Sequence, residues 1–165
     1  MNALITLVAV TGHQNNTPAR IPVRPLEPGD IPELASLHRD IYADAGAQQR
    51  GRDLGWIGTS PDWGRNRTAE AASLVTSGPG GKITAAIIIT ERDGEAVIDE
   101  LFTHPDHRRQ GLAEELLLHC MHVLHTLGLS TVTVTVDENN SAAMALYLSR
   151  DFRRLTDDDA EYDYD

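Results

Sequence analysis

The chain has 165 residues, 41% of them hydrophobic, and a formal net charge of −11. That is one domain's worth of chain with enough apolar residues for a core, and its charge argues against a general nucleic-acid or anionic-membrane surface. Arginine supplies 13 of the 14 cationic side chains, so any anionic ligand must be held by a local device, against the overall field.

The opening segment, MNALITLVAV, is apolar but lacks a basic leader and is too short to span a bilayer. Residues 11–20 (TGHQNNTPAR) are polar and aperiodic. Residues 1–20 therefore read as an arm, and residues 21–165 as a single domain. The one cysteine, Cys120, cannot make an internal disulfide, which fits a reducing, cytoplasmic setting. After the short strand IPVR, the stretch DIPELASLHRDIYADA reads as a helix. Asp30 can cap it, Pro32 lies in its first turn, Glu33 completes a capping-box-like spacing, and Ile31, Leu34, His38, Ile41 and Ala45 share a face.

Residues 46–70 hold five glycines and both tryptophans. A loop of that length reads as a lid, which makes Trp56 and Trp63 candidates to cover an acceptor, with core packing as the alternative. From Ala71 the pattern changes to ASLVTS, a GPGG turn, KITAAIIIT, a turn at Asp93-Gly94, and AVIDELFT, which are strands joined by hairpin signals. The run AAIIIT is apolar on both faces and predicts a central strand. Then come HPDHRRQGLA, a helix stopped at Gly128, the strand TVTVTV, a helix from about Asn140 to Arg150, and the acidic end FRRLTDDDAEYDYD. This order predicts an α/β domain with a mixed sheet flanked by helices.

HPDHRRQGLA is the joint between a strand and a helix. The first turn of a helix has four unpartnered N–H groups and the positive end of the dipole, so a helix entered through a glycine can take a phosphate against its backbone. Gly111 permits that approach, and Arg108 and Arg109 add local positive charge. His119, His122 and His125 are spaced i, i+3, i+6, a drifting stripe without a matching carboxylate, while Leu116, Cys120 and Leu124 read as the buried face; no metal is expected.

Arg108-Arg109-Gln110-Gly111-Leu112-Ala113 resembles the R/Q-x-x-G-x-G/A pyrophosphate loop of the GNAT superfamily of acetyl-CoA-dependent N-acetyltransferases, and Leu101-Phe102-Thr103-His104-Pro105 resembles the strand end leading into it. Further on, Asn140-Ser141-Ala142-Ala143-Met144-Ala145-Leu146-Tyr147 resembles that family's N-x-x-A-x-x-x-Y helix, followed by Phe152. Asp151 stands where the family has a glycine, and Ala113 is a common alternative at the third small position. The resemblance implies a mostly antiparallel central sheet with a splayed parallel strand pair forming the acetyl-CoA cleft. It also implies that the backbone of Leu101, Phe102 and Thr103 pairs with the thioester and pantetheine arm. The amides of Arg108, Arg109, Gln110, Gly111, Leu112 and Ala113 would hold the pyrophosphate, and Asn140 would bond the pantetheine while also suiting a helix N-cap.

An alkyl ammonium near pKa 10.4 lies roughly 3.4 units from neutral at pH 7, about 4.6 kcal/mol, so attack on a thioester needs help losing a proton. Strand alternation puts Asp99 and Glu100 on opposite faces, and the resemblance favours Glu100 as the base, acting directly from a buried position or through water. Tyr147 matches the group that meets the leaving thiolate; full transfer from a phenol near 10 to a thiolate near 8.5 is uphill by about 2 kcal/mol, so a strong hydrogen bond would suffice. The expected function is transfer of acetyl from acetyl-CoA to a primary amine, a small cationic molecule given the acidic chain, by direct attack in a ternary complex. The alternatives are a catalytically weak CoA-binding module, a protein or peptide N-acetyltransferase, and, without G-x-G-x-x-G or G-K-[ST] to support it, a nucleotide binder. No nucleic-acid or membrane partner is expected, and a homodimer is left open.

Overall fold

The computed structural model describes residues 4–13, 21–43 and 67–155. Its elements, in chain order, are β1 (Leu4–Val10), β2 (Val23–Pro25), α1 (Ile31–Ala43), α2 (Arg67–Ala72), β3 (Leu74–Ser77), β4 (Ile83–Arg92) and β5 (Glu95–Thr103), then α3 (Leu112–Thr126), β6 (Thr131–Asp137), α4 (Ser141–Ser149) and β7 (Arg153–Arg154). Among the described residues the strands form one sheet in the order β2-β3-β4-β5-β6-β1-β7, antiparallel throughout except for the pair β5–β6. The expected mixed, mostly antiparallel architecture is therefore the one observed.

The interior place of β4 follows from its composition. Ile83 through Ile89 are all buried, and the strand feeds two cores: Ala85, Ile87 and Ile89 pack on the α3 side with Leu116, Leu117 and Met121, while Ala86 and Ile88 pack on the α1 side with Leu34 and Leu37. A strand apolar at every position needs cover on both faces. On α3 the buried set is Leu112, Leu116, Leu117, Cys120, Met121 and Leu124, the face anticipated from helical spacing.

Three local departures from the sequence reading have physical causes. Residues 4–10, assigned to an arm, form a strand whose alternation buries Leu7 and Ala9 in the α3-side core, and which pairs with β6 over seven positions from Leu4↔Asp137 to Val10↔Thr131. The partner lies about 130 residues away in sequence, beyond any local signal. Residues 67–72, read mostly as loop, make the short helix α2, whose six residues are too few for a periodic pattern. Asp30 and Glu33 do not bond in the way the capping-box spacing suggested. The Asp30 carboxylate accepts two bonds from Arg24 at 2.8 and 2.9 Å and one from the Glu27 N–H, and Glu33 accepts from the Ile83 N–H at 2.6 Å, tying α1 to the start of β4.

The parallel pair β5–β6 is short. Its register runs Ala96↔Val132, Val97↔Thr133, Ile98↔Val134, after which β5 continues to Thr103 without a partner on β6. On its other side β5 stays paired with β4, but the register shifts between Ile88, opposite Glu100, and Ile89, opposite Ile98, leaving Asp99 as an extra residue. A bulge bends its strand and re-aims side chains. Here it coincides with the point where β5 leaves β6, and the two strands splay into a cleft.

Candidate active site

The bulge overturns the expectation that Asp99 and Glu100 face opposite ways. Asp99 takes a 3.0 Å bond from Arg92, which lies on the same alternation of β4 as Ile88, and Glu100 lies 3.5 Å from His38 of α1. Both carboxylates therefore lie on the α1 face, because the inserted residue breaks the period-two alternation. Glu100 is nearly buried, with 10% of its side chain exposed, beside a His38 that is 5% exposed.

The splay opens a cleft of about 830 Å³, within the range of small-molecule sites. One wall is Leu101, Phe102 and Thr103 of β5; the floor of the loop is Arg108, Arg109 and Gly111; α3 contributes Leu112 and Ala113; and α4, with the residue before it, contributes Asn140 and Tyr147. Four segments apart in sequence thus meet at one cavity. Gln110 belongs to the loop without lining the cleft, and Glu100 stands just before the lining wall. Trp56 and Trp63 lie outside the described residues. Ala142, Ala143 and Leu146 of the α4 motif also line the cavity, as do His107, Glu114 and Ile41, of which the sequence reading assigns only Ile41 a place, in the buried stripe of α1.

The loop geometry suits an anion. Arg109 and Gly111 both have left-handed backbone, φ 66° and 78°, a local alternation that turns successive amides toward one side. Gly111 is the N-cap of the fifteen-residue helix α3 and supplies no side chain to its open N–H groups. A Cβ built on Gly111 would meet no atom of the described residues beyond its chain neighbours within 4 Å, so among them the space above it is open. Of the two glutamates of the first turn, Glu114, which lines the cleft, pairs with Arg150, and Glu115 lies 3.6 Å from His119. The Arg150 guanidinium offsets the repulsion that a phosphate would meet from Glu114 at the helix end. The open backbone at Gly111 and the neighbouring arginines suit a group with the charge of a pyrophosphate.

Asn140 caps α4: its Oδ1 accepts from the Ala143 N–H at 3.2 Å, leaving the Nδ2 hydrogens toward other partners. Tyr147 is buried, with its ring 5.1 Å from that of Phe152 and tilted by 60°. Asp151 has φ 66°, a left-handed residue just past the end of α4. The position needs the conformation that glycine adopts freely, and aspartate is among the few residues that tolerate it. Cys120 is fully buried in the α3-side core, and burial pushes its thiol well above the ordinary range.

The profile of the acetyltransferase (GNAT) family matches residues 22–152. The chain belongs to the GNAT family. Among curated proteins, it is 37% identical over 76 residues to the [ribosomal protein bS18]-alanine N-acetyltransferase of Escherichia coli K12, a stretch covering 46% of this chain and 51% of that protein. The chain thus spans about half the length of the curated relatives it matches. Among solved structures, a GCN5-related N-acetyltransferase from Sphaerobacter thermophilus superposes with a TM-score of 0.71 at 17% identity, over 93% of this chain and 49% of that one. The PaiA N-acetyltransferase of Thermoplasma acidophilum, solved in complex with coenzyme A, superposes at 0.62 with 16% identity, over 79% of this chain and 87% of that one. At such identities the likeness is one of fold. This GNAT domain has no helix among its described residues that is long and apolar enough to cross a membrane.

Proposed function

We propose that this GNAT domain is an acetyl-CoA-dependent N-acetyltransferase acting on a primary amine by direct transfer. The observation that carries the reading is that one cleft is walled by Ile41 of α1 and by Tyr147 of α4, residues that pack on opposite sides of the sheet. An acceptor entering from the α1 side and a thioester held from the α4 side can then meet in the gap between β5 and β6. Bound acetyl-CoA would supply the thioester carbonyl attacked by the amine's lone pair.

The chain's own groups would divide the work as follows. Beyond Ile98 the backbone of β5 has no partner on β6, so Leu101, Phe102 and Thr103 offer an edge to the extended pantetheine arm. Amides from Arg108 to Ala113, with the Arg108 and Arg109 side chains, hold the pyrophosphate. Asn140 donates from Nδ2 to the pantetheine while its Oδ1 caps α4. Glu100 takes the proton the amine loses, and the Tyr147 hydroxyl donates a hydrogen bond to the departing sulfur. Cys120, buried and held as a thiol, is unsuited to carry an acyl group, which favours attack within a ternary complex.

Two acceptor classes follow from different observations. The net charge of −11 favours a small cationic amine. The E. coli relative is named for an alanine of a ribosomal protein, which favours a protein α-amine. Such an amine, titrating near 7.7–8.0, is only about one unit from neutral at pH 7 and asks far less of its base than an alkyl amine does. Release of CoA thiol from acetyl-CoA, measured against alkyl polyamines, amino sugars and peptides with free N-terminal alanine or serine, tests the reading. At least one class should drive turnover, and Tyr147→Phe should lower it by roughly 10- to 1000-fold with little change in acetyl-CoA affinity. Release no faster than thioester hydrolysis with every amine would leave a CoA-binding module instead.

A further inference from the structure

We infer that His38 of α1 is a positioning residue for the Glu100 carboxylate, an inference that rests on Glu100 being the base. His38 lies on the helix face that otherwise carries Ile31, Leu34 and Leu37 into the α1-side core. An imidazole buried there is costly unless a polar partner answers it, and a leucine would suit the apolar surroundings better. The carboxylate beside it is Glu100: His38 Nε2 stands 3.5 Å from Oε1, an approach short of a hydrogen bond, with 5% and 10% of the two side chains exposed. The imidazole is fixed by a second contact, edge-on to Phe102, with ring centroids 5.5 Å apart and planes at 76°. Phe102 in turn lines the cleft. Cleft wall, imidazole and carboxylate are therefore packed in series.

The bulge at Asp99 makes this arrangement possible. Without the extra residue, Glu100 would lie on the alternation of Ala96 and Ile98 and face α3. With it, Glu100 turns toward α1, where His38 meets it. Two other carboxylates near this face are engaged by different groups: Asp99 takes its bond from Arg92, and Glu33 takes the Ile83 N–H. Among the described residues, His38 is the one that stands in ion-pair distance of Glu100, placed so that on closer approach it would hold Oε1 and leave Oε2 for the acceptor. Apo hydrogen bonds at catalytic sites are often long and tighten on substrate binding, so an approach of 3.5 Å is compatible with a closer one in the ternary complex.

The test compares His38→Leu and His38→Gln in the otherwise unchanged chain and in Glu100→Gln, reading kcat, KM for the best amine of the panel, acetyl-CoA affinity and melting temperature. His38→Leu should lower kcat by about 10- to 100-fold, the scale on which misplaced catalytic groups act, while acetyl-CoA affinity and folding hold. His38→Gln, which keeps a polar group near the Nε2 position, should recover a large part of the loss. In the Glu100→Gln background the His38→Leu change should cost little more. A His38→Leu enzyme with full kcat, an equal loss in both backgrounds, or no advantage of Gln over Leu would overturn the inference. Full turnover by Glu100→Gln alone would instead overturn the base assignment beneath it.

Discussion

Asp151 illustrates how a residue can depart from a motif while keeping its geometry. The glycine expected before Phe152 would sit at a left-handed position, and Asp151 sits there with φ 66°, closing α4 just as the chain turns into Phe152. A non-glycine residue there costs roughly 1 kcal/mol of backbone strain, less for aspartate than for most. Asp151→Gly should therefore stabilise the domain, raising its melting temperature by about 1–3 °C, as 1 kcal/mol corresponds to roughly 2–4 °C at this size. A drop in thermal unfolding would show that the Asp151 side chain does more than occupy the turn. The loop and helix motifs were legible because their chemistry is local: Gly111, Asn140 and Tyr147 can be read from spacing and family resemblance, and the structure brings them to one cavity. The relation between Asp99 and Glu100 was not, since alternation holds only until a bulge interrupts it, and no residue in VIDEL announces one. His38 was legible as a buried-face residue and no more, because its partner comes from a strand some 60 residues later.

At the scale of elements, the cleft is made by strand pairing. β5 and β6 run parallel for three register pairs and then part, while β5 keeps its antiparallel bonds to β4. Helix α1 must be held against that opening, and the Arg24–Asp30 pair with the Glu33–Ile83 bond anchors its N-terminal end to β2 and β4. The paired Arg24 guanidinium, with the Glu27 N–H and against partial burial, holds the Asp30 carboxyl below its usual range. Since the folded value lies below the unfolded one of about 3.9, the pair's contribution is fully present above that pH and is lost as pH falls through the lower folded value. Arg24 is 41% exposed, so the contribution is about 0.5–1 kcal/mol. Asp30→Asn should melt below the wild type at pH 6–7, and the gap should begin to shrink as pH drops below about 3.9 and go on shrinking through the lower folded value; a gap of unchanged size at pH 3 would mean the loss comes from packing. The meander of β3, β4 and β5 and the last two long helices were readable from periodicity and turn residues. The strand β1 was not, because its place beside β6 depends on a pairing that spans nearly the whole chain.

Across the whole molecule, a chain of net charge −11 must bind a polyanion against its own field. The proposed local device is the start of α3 at Gly111 behind Arg108 and Arg109, where Glu114 is paired with Arg150. The central claim is that this device holds acetyl-CoA, and calorimetric titration of acetyl-CoA into the wild-type chain and into Gly111→Ala tests it most directly. A methyl at Gly111 touches no atom of the described residues beyond its chain neighbours within 4 Å, and alanine at this left-handed position costs only about 1 kcal/mol of stability, so a weaker affinity would report on the ligand. The account predicts saturable one-site binding by the wild type and at least about tenfold weaker binding by the variant, with its fold intact by circular dichroism. No binding by the wild-type chain, or equal affinity for both, would contradict it.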